Sequence, residues 1–278
     1  MDGTPYTGGG GGVKTAITQT SATDAFMYIG LEPINQMALP PTAPTAAALA
    51  PFVFANTTAL QDAVVEWAVD GAEAEESYGH ICKWDVTAAT SFEQLFSRER
   101  NAQLEYFDAD VNAWDTSAVT TMKKAFEYNV DFNRALNNWN TSAVKDMTGM
   151  FRAAAIFNQS LSSWDVSQVT TMEHMLRDAG EFGAAVWANG TGRVENMDQL
   201  FANTKLETRD LNGWDVSAAK KMAGMFKGVH KFNGRVDAWD TSAVTSMKEL
   251  FKTTSLNQDL SGWNTSRVTD MNAMLSEI

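Results

Sequence analysis

Cysteine is almost absent from this chain: Cys82 is the only one in 278 residues. It cannot close an internal disulfide or build a thiolate metal cluster. Histidine is nearly as scarce, with His80, His174 and His230 alone and at unrelated places in the chain. No G-x-S-x-G elbow, phosphate-binding glycine loop or H-E-x-x-H motif accompanies them. These absences lead to the expectation of a protein that is not an enzyme and that carries no cofactor and no metal. Bases are outnumbered, 21 against 34 acids, for a formal net charge of −13. The basic field that draws in nucleic acid is therefore missing, and no nucleic-acid partner is expected. The deficit is uneven, since residues 1–80 hold nine acids against Lys14 alone. Long apolar runs are missing too. The longest, Ala46 to Ala55, is broken by Pro51 and falls far short of the roughly 20 residues of a spanning helix, so no transmembrane segment is expected. No secretory leader is evident, because Asp2 stands where a basic residue belongs and Gly8 to Gly12 replaces an apolar core. The compartment stays open.

What the chain has in abundance is repetition. Met122, Met147, Met172, Met197, Met222 and Met247 follow one another at 25-residue steps, and Met271 comes 24 residues later. Phe92 takes the same place 30 residues before Met122, so the first loop carries about five extra residues. Eight positions before each anchor stands a tryptophan: Trp84, Trp114, Trp139, Trp164, Trp214, Trp239 and Trp263. The fifth unit departs, with Asn189 at that position and Trp187 two residues early. The unit reads F-N-x-x-L-x-x-W-D-[VT]-S-x-V-T-x-M-x-x-[ML]-[FL].

Each part of the unit has a local meaning. The V-T-x-M run suits one short strand. The i, i+3, i+4 spacing of Met147, Met150 and Phe151 predicts a short helix after it. Asp115, Asp165, Asp215 and Asp240 precede a serine by two residues and suit an Asx-turn into the strand. The asparagines after phenylalanine or leucine, Asn133, Asn158, Asn233 and Asn257, are expected to satisfy backbone groups in the loop. The methionine, tryptophan and aspartate columns also allow a soft-metal ladder, a carbohydrate platform or a calcium ladder. Core packing accounts for the first two, and the third lacks the converging oxygens that calcium needs. One unit offers about six large apolar side chains worth roughly 1.5–3 kcal/mol each. Ordering its backbone costs about 1–2 kcal/mol for each residue, so neighbouring units must share their faces. The sequons at Asn56, Asn140, Asn158, Asn189 and Asn264 arise largely from the repeat itself and carry little weight for secretion.

The stretches F-N-Q-S-L-S-S (157–163) and W-D-V-S-Q-V-T-T-M (164–172), and again W-D-T-S-A-V-T-S-M (239–247), resemble BspA-type leucine-rich repeat surface proteins. The likeness covers about residues 57–278. It implies a leucine-rich-repeat-like solenoid, frequently at the cell surface and used in adhesion or protein recognition.

The expected fold is thus an α/β repeat solenoid, with one short parallel strand and one short helix per turn and a helical N-terminal cap. Residues 1–56 read as a low-complexity, disordered or extended segment, 57–81 as the cap, and 82–278 as about eight units, the last incomplete. The candidate binding surface is the outward strand face: Thr120, Thr121, Lys145, Asp146, Thr170, Thr171, Glu195, Asn196, Lys220, Lys221, Thr245 and Ser246, flanked by Arg193 and Arg267. These residues vary on a constant scaffold, as recognition of a protein partner of unknown identity requires; neutral drift on a solvated face gives the same pattern. The second expectation is a structural subunit or spacer, docked through the N-terminal segment and the uncapped C-terminal edge.

Overall fold

The computed structural model describes residues 50–207 and 210–278. They belong to one compact unit, Ala48–Ile278. It is mostly irregular, with two α-helices, two short 3₁₀ segments and a periodic set of aromatic clusters among the described residues. No helix among them is long and apolar enough to cross a membrane.

The entry is helical. Helix α1 (Thr57–Val69) starts at Asn56, whose side chain accepts the Ala59 N–H. Helix α2 (Gly71–Tyr78) starts at Asp70, which also ends α1 and accepts from Ala72 and Glu73. Leu60, Ala63 and Val64 of α1 are buried in the common core. Of the segment read as low-complexity, 1–49 lie outside the described residues. Its last residues are held: Val53 bridges in parallel to Asp85, and Phe54 is buried against Tyr78 and Trp84.

The tandem units then follow, each bonded to the next. A parallel bridge in one file links each neighbouring pair, from Ser91 through Thr121, Asp146, Thr171, Asn196, Lys221 and Ser246 to Asp270, and Asp210 with Arg235 adds a second between two of the units. The expected strand is reduced to the single residue of that file. The reason lies in the bridge residue itself, whose side chain caps the turn that follows. Thr121 Oγ1 accepts the Lys123 N–H, Asp146 Oδ1 the Thr148 N–H and Asn196 Oδ1 the Asp198 N–H.

The expected short helix does not form either. Positions two and six past each anchor methionine are left-handed, as at Lys124 and Tyr128, Gly149 and Ala153, or Gly224 and Gly228. Turn bonds such as Arg152 N–H to Gly149 O alternate with bonds that leave the unit. Met147, Gly149, Phe151 and Ala153 donate to Thr171, Glu173, Met175 and Arg177 of the next one, at 2.8–3.1 Å. Two successive four-residue turns bury the same i, i+3, i+4 positions that a helix does, so Met147, Met150 and Phe151 are all fully buried.

The inward side chains form columns. Phe126 stacks on Phe151 at 5.3 Å and Phe226 on Phe251 at 5.6 Å, with ring planes within 9°. Trp214, Trp239 and Trp263 stack at 6.0–6.5 Å. The indole N–H of Trp114, Trp139, Trp164, Trp239 and Trp263 reaches the carbonyl three residues before the preceding tryptophan, as Trp139 to Val111 and Trp239 to Leu211, while Trp214 donates to the Trp187 carbonyl. In the fifth unit Trp187 keeps the stack on Trp214 at 5.5 Å, but its buried Nε1 has no partner among the described residues. Shifting the ring two residues along the chain preserves the packing and gives up the hydrogen bond.

The left-handed sites carry a direct test. Gly228 has φ +73°, and a Cβ there would run into the Asn203 side-chain oxygen, while Asn203 is tied to Asp178 at 2.7 Å. Gly149 has φ +61° and only ordinary contact, 3.4 Å to Lys124 Cγ. Gly228→Ala is expected to lose about 2 kcal/mol and Gly149→Ala about 1 kcal/mol in urea melts. Two variants as stable as the parent would show that these backbone conformations are not held.

Candidate functional surface

The strand-face residues come together because every bridge is in the same register. Lys145, Thr170, Glu195, Lys220 and Thr245 each donate their backbone N–H to the preceding unit. This fixes one file of side chains, and the bridge residues form a second file beside it. Thr120, Lys145, Thr170, Glu195, Lys220, Lys221 and Thr245 are exposed, as are Arg193 and Arg267 at the margin. Thr121, Asp146, Thr171, Asn196 and Ser246 are half-buried.

The side chains on this face differ in what they already hold. Thr120, Thr170 and Thr245 give their hydroxyls to the carbonyls of Thr90, Lys145 and Lys220 at 2.9–3.2 Å. They reinforce the bridge ladder and present methyl groups. Lys220 Nζ lies 2.6 Å from Glu195 Oε2, Arg193 donates to Gln168, and Asn196 donates to Glu173 Oε2 at 3.0 Å. Lys145, Lys221 and Arg267 have no carboxylate partner among the described residues. A third file was not foreseen: the residue after each anchor, including Glu173, Asp198 and Lys248, lies beside the bridge residues. The contact of Asn196 with Glu173 shows the adjacency. The two-residue alternation through the anchor could have revealed it. Burial pushes the Asp198 carboxyl above its ordinary range, against the opposing Ala223 N–H and the nearby Lys221.

Elsewhere the charged groups are structural. Glu127 is fully buried, with Arg152 Nη1 at 3.2 Å and Lys124 Nζ at 3.0 Å. Lys124 also reaches Glu99 at 3.0 Å, so the four charges tie three consecutive units together. Burial raises the Glu127 carboxyl, and the Lys124 ammonium opposes the rise. The histidines do not converge on one place in the repeat. His80 Nδ1 touches Cys82 Sγ at 3.0 Å beside the cap, and His174, lowered by burial, has Glu173 Oε1 4.0 Å away. Among the described residues no group of three or more His, Cys, Asp or Glu side chains is placed to hold a metal ion.

The aspartate column makes turns. Asp115, Asp165, Asp215 and Asp240 each accept the backbone N–H two residues on at 2.9–3.0 Å, and Asn140 and Asn264 do the same. The asparagines after phenylalanine bond between units: Asn133 Oδ1 accepts the Asn158 N–H, and Asn158 Oδ1 the Gly183 N–H. The serine two residues on lowers the four aspartates, through side-chain and backbone bonds. A carboxylate lowered in the folded state adds stability above its unfolded value, about 3.9, and loses it as pH falls through the folded value. Asp165→Asn, copying Asn140, should therefore leave the neutral-pH melting temperature nearly unchanged and flatten the loss of stability below about pH 4. A steeper acid limb in the variant would contradict this role.

The chain was compared with known proteins. The family described as Mycoplasma protein of unknown function, DUF285, matches twice, over residues 65–189 and 185–278. No curated protein and no solved structure matches the chain.

Proposed function

We propose, from the premise that the chain belongs to the DUF285 family, that it is a non-enzymatic scaffold which recognises a protein partner along its exposed bridge face. The scaffold is read as a leucine-rich-repeat-like solenoid of the BspA kind. Its support is one parallel bridge per 25-residue unit, an inward ladder of large apolar residues, and asparagines bonding from unit to unit. The observation that carries the recognition role is the contrast between columns. Inward positions hold the same few apolar residues in every unit, while the files beside the bridges hold Thr, Lys, Asp, Glu and Asn in changing order. A scaffold that presents variable side chains at a regular spacing recognises an extended partner surface. The family resemblance extends this reading to adhesion at a cell surface.

A second reading, a spacer or subunit of a larger assembly, draws on the last unit. Met271, Leu275 and Ile278 are 44–57 % exposed there. Covering such groups with a partner's apolar surface would gain about 25 cal/mol per Å².

The test uses the full chain to capture partners from an extract of the cells that make it. Thr121→Trp, Thr171→Trp and Ser246→Trp together obstruct the face. Glu181→Trp with Lys231→Trp places the same bulk on the return loops. The face variant should bind the captured partner at least about tenfold more weakly, equal to about 1.4 kcal/mol. The loop variant should bind as the parent does. Equal binding by all three, or equal loss in both variants, would overturn the assignment.

A further inference from the structure

Most bases in this molecule are spent on internal ion pairs. Of the nineteen among the described residues, twelve have a carboxylate within 4.0 Å. Seven have none, and five of those, Lys145, Arg193, Lys221, Lys248 and Arg267, lie on or beside the bridge face. Lys83 and Arg100 are the other two. Lys83 lies in the entry segment, and Arg100 donates to the carbonyls of Gln94 and Glu93. All five face bases are exposed. On a chain of net charge −13, uncommitted positive charge is thus gathered on one surface.

The acids on the same face are engaged differently. Asp146, Asp198 and Asp270 each turn an oxygen to a backbone N–H, of Thr148, Ala223 and Asn272, Glu173 accepts from Asn196, and Glu195 is paired with Lys220. They hold the scaffold and divide the free bases into separate points. A continuous polyanion such as nucleic acid meets alternating attraction and repulsion on such a face. A peptide whose carboxylates stand on flexible side chains can turn them to the bases and away from the acids. Units in parallel register lie about 4.8 Å apart, so the five steps from Lys145 to Arg267 span about 24 Å. An extended peptide of about seven or eight residues covers that length at roughly 3.3 Å per residue.

We propose that the partner segment seated on this face is an extended acidic peptide, its carboxylates paired with Lys145, Lys221, Lys248 and the flanking Arg193 and Arg267. The proposal rests on the bridge face being the recognition surface and adds the chemical class of what binds there. Discrete exposed pairs of this kind govern partner choice and encounter rate more than tightness, and salt screens them.

The test is fluorescence anisotropy of labelled octaglutamate with the full chain, with labelled octathymidylate measured separately. Octaglutamate should bind, and its affinity should fall at least about tenfold between about 50 and 300 mM salt. Lys145→Glu with Lys221→Glu and Lys248→Glu should bind it at least about tenfold more weakly at an unchanged melting temperature. Lys83→Glu should bind as the parent does. If the triple variant melts early, the same positions changed to Gln supply the comparison. Three results overturn the proposal: no octaglutamate binding at low salt, equal loss in the Lys83 variant, or octathymidylate bound as tightly as octaglutamate. If tryptophans on the face abolish capture of the natural partner while octaglutamate fails to bind, the recognition surface stands and the acidic class falls. If the tryptophans also leave capture unchanged, both fall.

Discussion

Everything in this molecule depends on backbone N–H groups that point from one unit to the next instead of along a helix. Within each 25-residue unit the chain folds into short turns, and alternate amides, such as Gly149 and Phe151, donate to Glu173 and Met175 of the following unit. That direction requires left-handed residues at fixed places, and twelve non-glycine residues among the described ones adopt it. Such a conformation costs an ordinary residue roughly 1–2 kcal/mol. A net hydrogen bond returns about 0.5–1.5 kcal/mol, so a single turn of this kind is not stable alone. The inter-unit bonds and the aromatic columns offset the cost only when units are stacked. Cooperation between neighbours follows from the backbone itself.

The same constraint shapes the surface. Units locked in register put every bridge residue in one file and every anchor methionine beneath it. The apolar choices are narrow inside: Met, Leu or Phe along the anchor columns, tryptophan and phenylalanine in the stacks. Outside, most bridge residues are short capping side chains, Ser, Thr, Asp or Asn, with Lys221 departing, and the file beside them changes among Thr, Lys and Glu. Internal ion pairs such as Lys124–Glu127–Arg152 sit away from this face and join adjacent units. Acidic excess and inter-unit pairing together leave the uncommitted bases where the bridges run.

Much of this was legible in the residues. The 25-residue spacing gives register, inward columns and the order of contacts. The Asx-turns at Asp165 and Asp240 and the unit-to-unit bonds of Asn133 and Asn158 follow from their positions after tryptophan and phenylalanine. The helix was misread because paired turns and a helical turn bury the same spacing. Gly149, Gly224, Gly228 and Asn203 stood at left-handed positions as a usable signal. Lys124, Gln199 and Thr253 at equivalent sites obscured it, since none of them favours that conformation. The strand was over-extended because the capping side chains of Thr121, Asp146 and Asn196 read equally well as strand surface. On the candidate face, the files were legible from the period, but the free or paired state of each base was not. That state depends on long side chains meeting across 25 residues, as Lys220 and Glu195 do, and the third file with Lys248 was missed.

Through-hydrogen-bond scalar couplings in the deuterated protein test the central claim most directly. They report which carbonyl carbon each amide nitrogen is bonded to. The structure requires a coupling from the Gly149 amide to the Glu173 carbonyl and from Phe151 to Met175, with the same step repeated in the neighbouring units. Couplings from Gly149 to Lys145 and from Phe151 to Met147, four residues back along the chain, would mean that each unit carries a helix and that the units are held together in another way.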